Sequence, residues 1–307
     1  MIICCGEALI DFLPRKSAEG ADVYQPFNGG SIFNTAIALG RLGVNTGFFT
    51  ALSRDFFGDM LLEGLKASKV DLKYVRRSDW PSTLAFVKLA DGHARYSFFD
   101  ENSSVRMLTR KDLPKLPAKV KALHFGSISL IPEPCGSALE ALFMREAKSR
   151  VLCLDPNIRP GFIKNRKAHL ARIGWMIAKA DILKISDEDV KWMTGKTDLA
   201  RAAKAWLMAG AKMVIVTKGG DGVEAFTPRG SVVLPAMPVK VADTVGAGDT
   251  FTAGLLAHFS AHGLLDKKKL AAVTLDDLKA ALQFAARAAA MTCSRPGADP
   301  PWLHELA

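Results

Sequence analysis

Cysteine is scarce, and its pattern is uninformative for cross-linking: the chain has five, an odd number, with no Cys-x-x-Cys pair. Cys4 and Cys5 are adjacent in a strand-like run and must point to opposite faces, which discourages a bond between them. A disulfide framework and a thiolate metal cluster are thereby excluded, and reduced core cysteines of a cytoplasmic protein are expected. Long apolar runs are missing too. Nothing approaches membrane-spanning length, and residues 1–13 lack a basic region and are interrupted by Glu7 and Asp11, so neither an anchor nor a signal peptide is expected. Concentrated charge is also lacking. The net charge is +10, yet lysine and arginine are dispersed; the tight runs are Lys267-Lys268-Lys269 and Arg76-Arg77. Without a basic helix interleaved with aromatics, or a zinc-finger or RNP-like pattern, a nucleic-acid partner is not expected, and the positive field suits a small anion such as a nucleotide.

What is present is a chain of 307 residues, 49% hydrophobic and 23% charged, enough for one large α/β domain. The start, Ile2 to Phe12, reads as one strand buried on both faces and ended by a polar residue, Asp11. Residues 13–28 are polar and turn-rich, with a short strand expected at 22–25. Gly29-Gly30-Ser31 then opens a helix over 32–42 that Gly43 stops. A strand over 44–52 and a helix over 55–68 follow. Thr83–Leu89 and Arg95–Phe99 alternate apolar and polar residues around Asp91-Gly92, a hairpin signal. Half-exposed strands of this kind, with residues 13–28, predict a small sheet outside the main body: a lid formed from about 13–28 and 82–100.

From residue 120 the pattern is regular. Short apolar strands at 120–124, 151–154, 182–185 and 213–217 alternate with helices at 134–149, 166–178, 187–194 and 198–210, which implies a parallel sheet covered by helices on both faces. A hairpin at 223–226 and 231–234, helices at 248–262 and 275–292, and a Pro/Gly-rich tail complete the chain. No repeat or linker interrupts it, so a single domain over 1–307 is expected.

Polar motifs recur where the strands end, the edge at which open α/β sheets bind ligands. They are Asp11, Gly29-Gly30, Asp155-Pro156-Asn157-Ile158-Arg159, Lys184-Ile185-Ser186-Asp187-Glu188 and Thr217-Lys218-Gly219-Gly220-Asp221-Gly222. The most informative stretch is Asp243-Thr244-Val245-Gly246-Ala247-Gly248-Asp249-Thr250-Phe251. Two glycines open an apolar helix, so the amides of Gly246, Ala247 and Gly248 face whatever lies on the helix axis, and a helix start favours an anion. A carboxylate at Asp249 repels such a guest unless it serves as the base for a hydroxyl attacking a phosphate. The plain alternatives are a turn cap at Asp243 and a helix-start charge at Asp249, and their weight falls once a second motif accompanies the first. His258 and His262, at i, i+4, lack the glutamate and third ligand of a metal motif and read as a half-exposed helix face. Trp80-Pro81 and Phe98-Phe99 read as lid packing.

Two segments resemble the signatures of the ribokinase-like (PfkB) family of carbohydrate kinases: Gly29-Gly30-x3-Asn34-x-Ala36-x4-Arg41-Leu42-Gly43 and Asp243 to Phe251. The resemblance implies a ribokinase-like three-layer fold with a mainly parallel central sheet, helices on both faces and a small β-sheet lid. It implies Asp249 as catalytic base, Gly246, Ala247 and Gly248 as the anion hole, and Asp11, Gly29, Gly30 and Asn34 as sugar-binding positions. Arg159, Lys184, Lys218, Gly219 and Gly222 would lie against the nucleotide. Glu188 would reach magnesium through water, although Ser186 replaces the asparagine often found in Asn-x-x-Glu, and Asp243, with the loop Met291 to Ala298, would hold a monovalent cation such as potassium. The implied reaction is transfer of the γ-phosphoryl of ATP to a primary hydroxyl of a monosaccharide. Gly6 to Asp11, Phe125 to Ser129 and Asp155-x-Asn157-x-Arg159 resemble the fructokinase branch; a 2-keto-3-deoxygluconate kinase, a nucleoside kinase and, more remotely, a non-enzymatic sugar-binding regulator are the alternatives. A dinucleotide oxidoreductase does not fit, because Gly29-Gly30-Ser31 follows an inserted segment and lacks the G-x-G-x-x-G spacing. Free edges on the lid sheet suggest pairing with a second copy.

Overall fold

A computed structural model describes residues 1–90 and 93–306. The turn expected at Asp91-Gly92 lies outside the described residues. Among those described, the strands are β1 (Ile2–Cys5), β2 (Leu9–Lys16), β3 (Asp22–Gly29), β4 (Thr46–Ser53), β5 (Val75–Ser78), β6 (Leu84–Ala90), β7 (His93–Phe99), β8 (Ala122–Gly126), β9 (Val151–Asp155), β10 (Ile182–Ser186), β11 (Met213–Thr217), β12 (Val223–Thr227) and β13 (Gly230–Leu234). The helices are α1 (Ser31–Arg41), α2 (Phe56–Ala67), α3 (Cys135–Glu146), α4 (Arg166–Ile177), α5 (Asp187–Thr194), α6 (Leu199–Ala209), α7 (Ala247–Ala261), α8 (Lys267–Ala271) and α9 (Leu275–Cys293).

The main sheet runs β13-β12-β11-β10-β9-β8-β1-β4-β5 and is parallel except for the β12–β13 hairpin at one edge. Its central strands are buried and mainly apolar because helices cover both faces, with His124 in β8, Asp155 in β9 and Lys184 in β10 as buried polar exceptions. β1 shows this residue by residue. Ile2 and Cys4 pack into a core shared with α1, α2, α7 and α9, while Ile3 and Cys5 pack into a second core shared with α3, α4 and α6. The five cysteines are unpaired, and burial pushes the Cys4 and Cys5 thiols well up, as befits inert core residues. No helix among the described residues is long and apolar enough to cross a membrane.

The second sheet, β3-β2-β6-β7, is the lid. It corrects the reading of residues 2–12 as one strand. The chain leaves the main sheet at Gly6, where a Cβ would sit 2.6 Å from the Ile32 side chain, and re-enters pairing as β2. Asp11 therefore belongs to the lid, opposite Phe27 of β3 and Ala85 of β6. The short strand expected at 22–25 is an eight-residue strand paired along the whole of β2. An aromatic stripe holds the sheet together: Phe12 stacks on Phe86 at 4.5 Å, and Tyr24 and Phe99 pack edge-on to the same ring. β5 and the short α8 are additional to the expected elements. β5 pairs parallel with β4, and α8 contains the basic run Lys267-Lys268-Lys269, with Lys267 bonded to the buried Asp181.

Candidate active site

The starts of α1 and α7 meet. Gly30, at φ 103°, leads into α1, and Gly246, at φ 76°, leads into α7, so both helices begin at a backbone conformation that disfavours side chains. A Cβ on Gly30 would stand 3.1 Å from the Glu7 carbonyl, and one on Gly246 would stand 2.7 Å from Ala298 Cβ. Neither helix is capped by its own N-cap side chain. In α1 the buried Glu7 substitutes: its carbonyl accepts from the Phe33 amide and its Oε1 from the Ile32 amide. Burial raises the Glu7 carboxyl, against hydrogen bonds from Ser129, Ile32 and Ser127.

Asp249 is 7% exposed and lies in the first turn of α7. A carboxylate there would ordinarily fold back on its own helix. Instead it spans to α1, with Oδ1 accepting from Ser31 Oγ at 2.6 Å and Oδ2 from Asn34 Nδ2 at 2.9 Å. Burial raises its pKa above the ordinary carboxylate value, and Ser31, Asn34 and Lys184 oppose the rise. Around it, the Ala247 amide donates to the Thr244 carbonyl at 3.2 Å, while the amides of Gly246 and Gly248 have no acceptor among the described residues. The expected three-amide hole is thus two free donors and one engaged in the turn.

Lys184, in β10, lies beneath this turn, its Nζ 3.1 Å from where a Cβ on Gly248 would be. It pairs with Asp155 Oδ2, at the end of β9, at 2.9 Å, with side chains 6% and 2% exposed. Burial alone would lower the lysine; Asp155 and Asp249 hold it above its ordinary value. Asp189, in α5, is a further buried carboxylate, pushed up to about 6 by burial and by Asp155, with the Ile158 amide opposing. Glu188 is exposed in the first turn of the same helix.

Asp243 ties the tail to the site. Its oxygens accept from the Val245 and Gly297 amides at 3.0 and 2.9 Å, and the Cys293 carbonyl accepts from the amides of Ala242 and Asp243. Lys218 and Gly222 close a tight loop after β11, in which Gly219 and Gly222 have φ of 53° and 93°. Lys218 Nζ is 3.9 Å from Glu224, and both side chains are partly exposed.

On the lid side, Asp11 lies against Gly29, where any Cβ would strike its carboxylate, and burial pushes Asp11 up to about 6. A cavity of about 1120 Å³ separates lid from body, lined by Glu7, Thr83, Phe98, Arg106, Ser129 and Arg159 among others. Phe98, read as packing, contacts Phe162 at 4.1 Å and also faces this cavity. The described lining stops short of Asp249, and Arg159 bridges the gap: its Nη1 donates to Asn157 Oδ1 at 2.6 Å, and Asn157 Nδ2 donates to Ser31 Oγ at 2.8 Å. His258 and His262 stack at 4.0 Å, and among the described residues no group of three metal-ligating side chains gathers around them or elsewhere.

Ser31, Asn157 and Asp155 are the site residues whose partners sequence reasoning did not find. Ser31 lay inside the first signature and Asn157 inside Asp-x-Asn-x-Arg, but their partners are 218 and 126 residues away in the chain.

A shared α/β frame with a lid and a buried carboxylate at a helix start is diagnostic when the whole sequence matches a family built on it. The family model described as pfkB family carbohydrate kinase matches residues 1–305. The chain belongs to that family. It is a carbohydrate kinase, a phosphotransferase with an alcohol group as acceptor. It is 54% identical over 273 residues to a fructokinase of Rhizobium leguminosarum bv. trifolii, covering 89% of this chain and 84% of that protein. It is 33% identical over 312 residues to probable fructokinase-7 of Arabidopsis thaliana, covering 98% and 89%. In three dimensions it is similar to fructokinase with bound ATP from Xylella fastidiosa, with a TM-score of 0.89 at 26% identity, over 99% of this chain and 96% of that one.

Proposed function

We propose that this kinase transfers the γ-phosphoryl of ATP to a primary hydroxyl of fructose, giving fructose 6-phosphate, with Asp249 as the base. The observation that carries the chemistry is a carboxylate buried at the start of α7, fixed by Ser31 and Asn34, beside two free amides and the Lys184 ammonium. A base held in this way accepts the hydroxyl proton on a remaining lone pair as the sugar oxygen attacks the γ-phosphorus and ADP leaves. The Gly246 and Gly248 amides and Lys184 face charge on the transferring group, where fixed donors act most strongly. Asp11, Gly29, Gly30 and Asn34 supply short polar groups and bare backbone for sugar hydroxyls. Arg159, Lys218, Gly219 and Gly222 complete the edge against which the triphosphate lies.

Magnesium fits an exposed Glu188 reached through water, since this ion keeps several waters and binds by one or two carboxylates plus phosphates. Bound there, it supplies charge neutralisation on the phosphates. Asp243 offers oxygen donors with spare lone pairs to a monovalent cation such as potassium. Fructose is supported by the names of the relatives and by the cavity, in which Arg106 and Arg172 are already paired with Asp100 and with Glu133 and Glu140. Arg106 and Arg172 are thereby unavailable to the carboxylate of an acid sugar such as 2-keto-3-deoxygluconate. The lid aromatics Tyr24 and Phe99, 48% and 60% exposed, support a homodimer formed through this sheet.

ADP release with ATP and Mg²⁺ across fructose, ribose, 2-keto-3-deoxygluconate and adenosine tests the reading. Fructose is expected to give the highest kcat/KM; a higher value for 2-keto-3-deoxygluconate would reassign the substrate.

A further inference from the structure

Asp249 is one end of a chain of hydrogen bonds whose direction is fixed from the other end. Arg159 is a guanidinium with donors only, so the atom of Asn157 it meets at 2.6 Å must be the amide oxygen. That orientation turns Nδ2 of Asn157 toward Ser31, which accepts at 2.8 Å. Ser31 has a single hydroxyl proton, and with a donor on its lone pair that proton is directed to Asp249 Oδ1, 2.6 Å away. Asn157 adopts φ 41°, a conformation that asparagine tolerates better than most residues, and this places its amide between Arg159 and Ser31. Ser31, the first residue of α1, uses its hydroxyl across the helix pair instead of on its own helix end.

We propose that Ser31 and Asn157 are positioning residues of the kinase: a one-way relay from Arg159 through Asn157 and Ser31 locks one carboxylate oxygen of Asp249 and holds the group in its ionised form. The inference rests on Asp249 being the base. Asn34 locks the second oxygen, so the carboxylate plane is fixed by two donors from the same face of α1. Each oxygen retains a lone pair for the substrate hydroxyl. The other charged groups facing Asp249 are Lys184 from β10 and Asp155 from β9; α1 offers the neutral Ser31, Asn34 and Thr35. Because Arg159 also lines the cavity beneath the lid, the relay joins the cavity wall to the base.

The test is the pH dependence of kcat/KM for fructose at saturating ATP, in wild type, Ser31→Ala, Ser31→Thr, Asn157→Asp and Asp249→Asn. Removing a donor to the carboxylate makes it easier to protonate, so the acid limb of Ser31→Ala is expected to move to higher pH by roughly half a unit to one unit, with kcat lowered about tenfold. Ser31→Thr, which keeps the hydroxyl, is expected to leave the limb near the wild-type position. Asn157→Asp preserves size but replaces the donor by an acceptor; it draws the Ser31 proton away from Asp249 and moves the limb upward too. An unmoved limb in Ser31→Ala, or the same shift in Ser31→Thr as in Ser31→Ala, would refute the relay. An unmoved limb in Asn157→Asp would refute its direction. Near-normal turnover by Asp249→Asn would instead overturn the base itself, an outcome distinct from the other three.

Discussion

Replacing Lys184 by methionine separates what this residue does for the fold from what it does for the reaction. In the native protein Lys184 and Asp155 form an ion pair at 2.9 Å with both side chains almost fully buried. Lys184 bonds Asp155 Oδ2 and Oδ1 has no hydrogen-bond partner among the described residues, so losing the ammonium leaves a buried carboxylate with neither oxygen satisfied. Breaking a buried pair by removing one member costs about 3–5 kcal/mol, because the remaining charge is stranded. Replacing both members by neutral groups is far less costly. Lys184→Met is therefore expected to lose about 3–5 kcal/mol in urea unfolding, and the double variant Lys184→Met, Asp155→Asn is expected to recover at least half of that loss. Activity follows a different rule. The cation lies beside Gly248, where the transferring phosphoryl is to be held, and a fixed electrostatic donor in such a place is worth about 10²–10³ in kcat. The double variant should thus regain stability and stay about 100-fold slow. A loss below about 1 kcal/mol in the single variant would refute the packing argument, and recovery of kcat in the double variant would refute the electrostatic role.

Gly246→Ala combines a positive φ with a close approach to Ala298, so it should cost about 1–3 kcal/mol in unfolding free energy and lower kcat; thermal unfolding and steady-state rates check both. Asp243→Ala frees Gly297 and Val245 from their acceptor, and any stimulation of turnover by KCl over choline chloride should disappear with it. His124 is buried in β8 and burial holds it down to about 4, so it is neutral in the fold and charged in the unfolded chain between pH about 4 and 6.5. The unfolded state then binds the extra proton, and stability falls as the pH drops through that window. Relative to His124→Leu, the wild-type protein should lose about 2 kcal/mol between pH 7 and pH 5 in urea titrations; equal slopes would contradict it.

The fold was legible wherever the pattern was local. Apolar runs bounded by turns marked the central strands, Gly29-Gly30 and Gly43 marked the ends of α1, and the glycines before an apolar run marked the start of α7. Where it failed, a contact distant in sequence decided the outcome. Ile2 to Phe12 reads as one strand despite Glu7 and Asp11; in the structure the chain leaves the main sheet at Gly6, packed close against Ile32, and Asp11 is delivered to the lid. The β5 segment Val75–Ser78 is polar and short, and exists because β4 presents a free edge to pair with. The site divides in the same way. Asp249 and the glycines before it announced themselves through their chemistry, since a carboxylate at an anion-binding helix start demands an explanation. Ser31 and Asn157 did not, because a serine after two glycines and an asparagine after a proline are ordinary in turns. Their role depends on α1, β9 and α7 converging at one corner. The amide of Ala247 shows the converse: sequence placed it at the site, and turn geometry gives its hydrogen bond to Thr244.

The account depends most on Asp249 as base, and Asp249→Asn measures it directly. The substitution is isosteric, and ATP affinity measured by calorimetry reports whether the nucleotide site is intact. The account predicts kcat with fructose reduced by about 10²–10⁴ or more while the Kd for ATP changes by less than about threefold. Turnover within about fivefold of the wild-type enzyme, with ATP bound equally well, would contradict it.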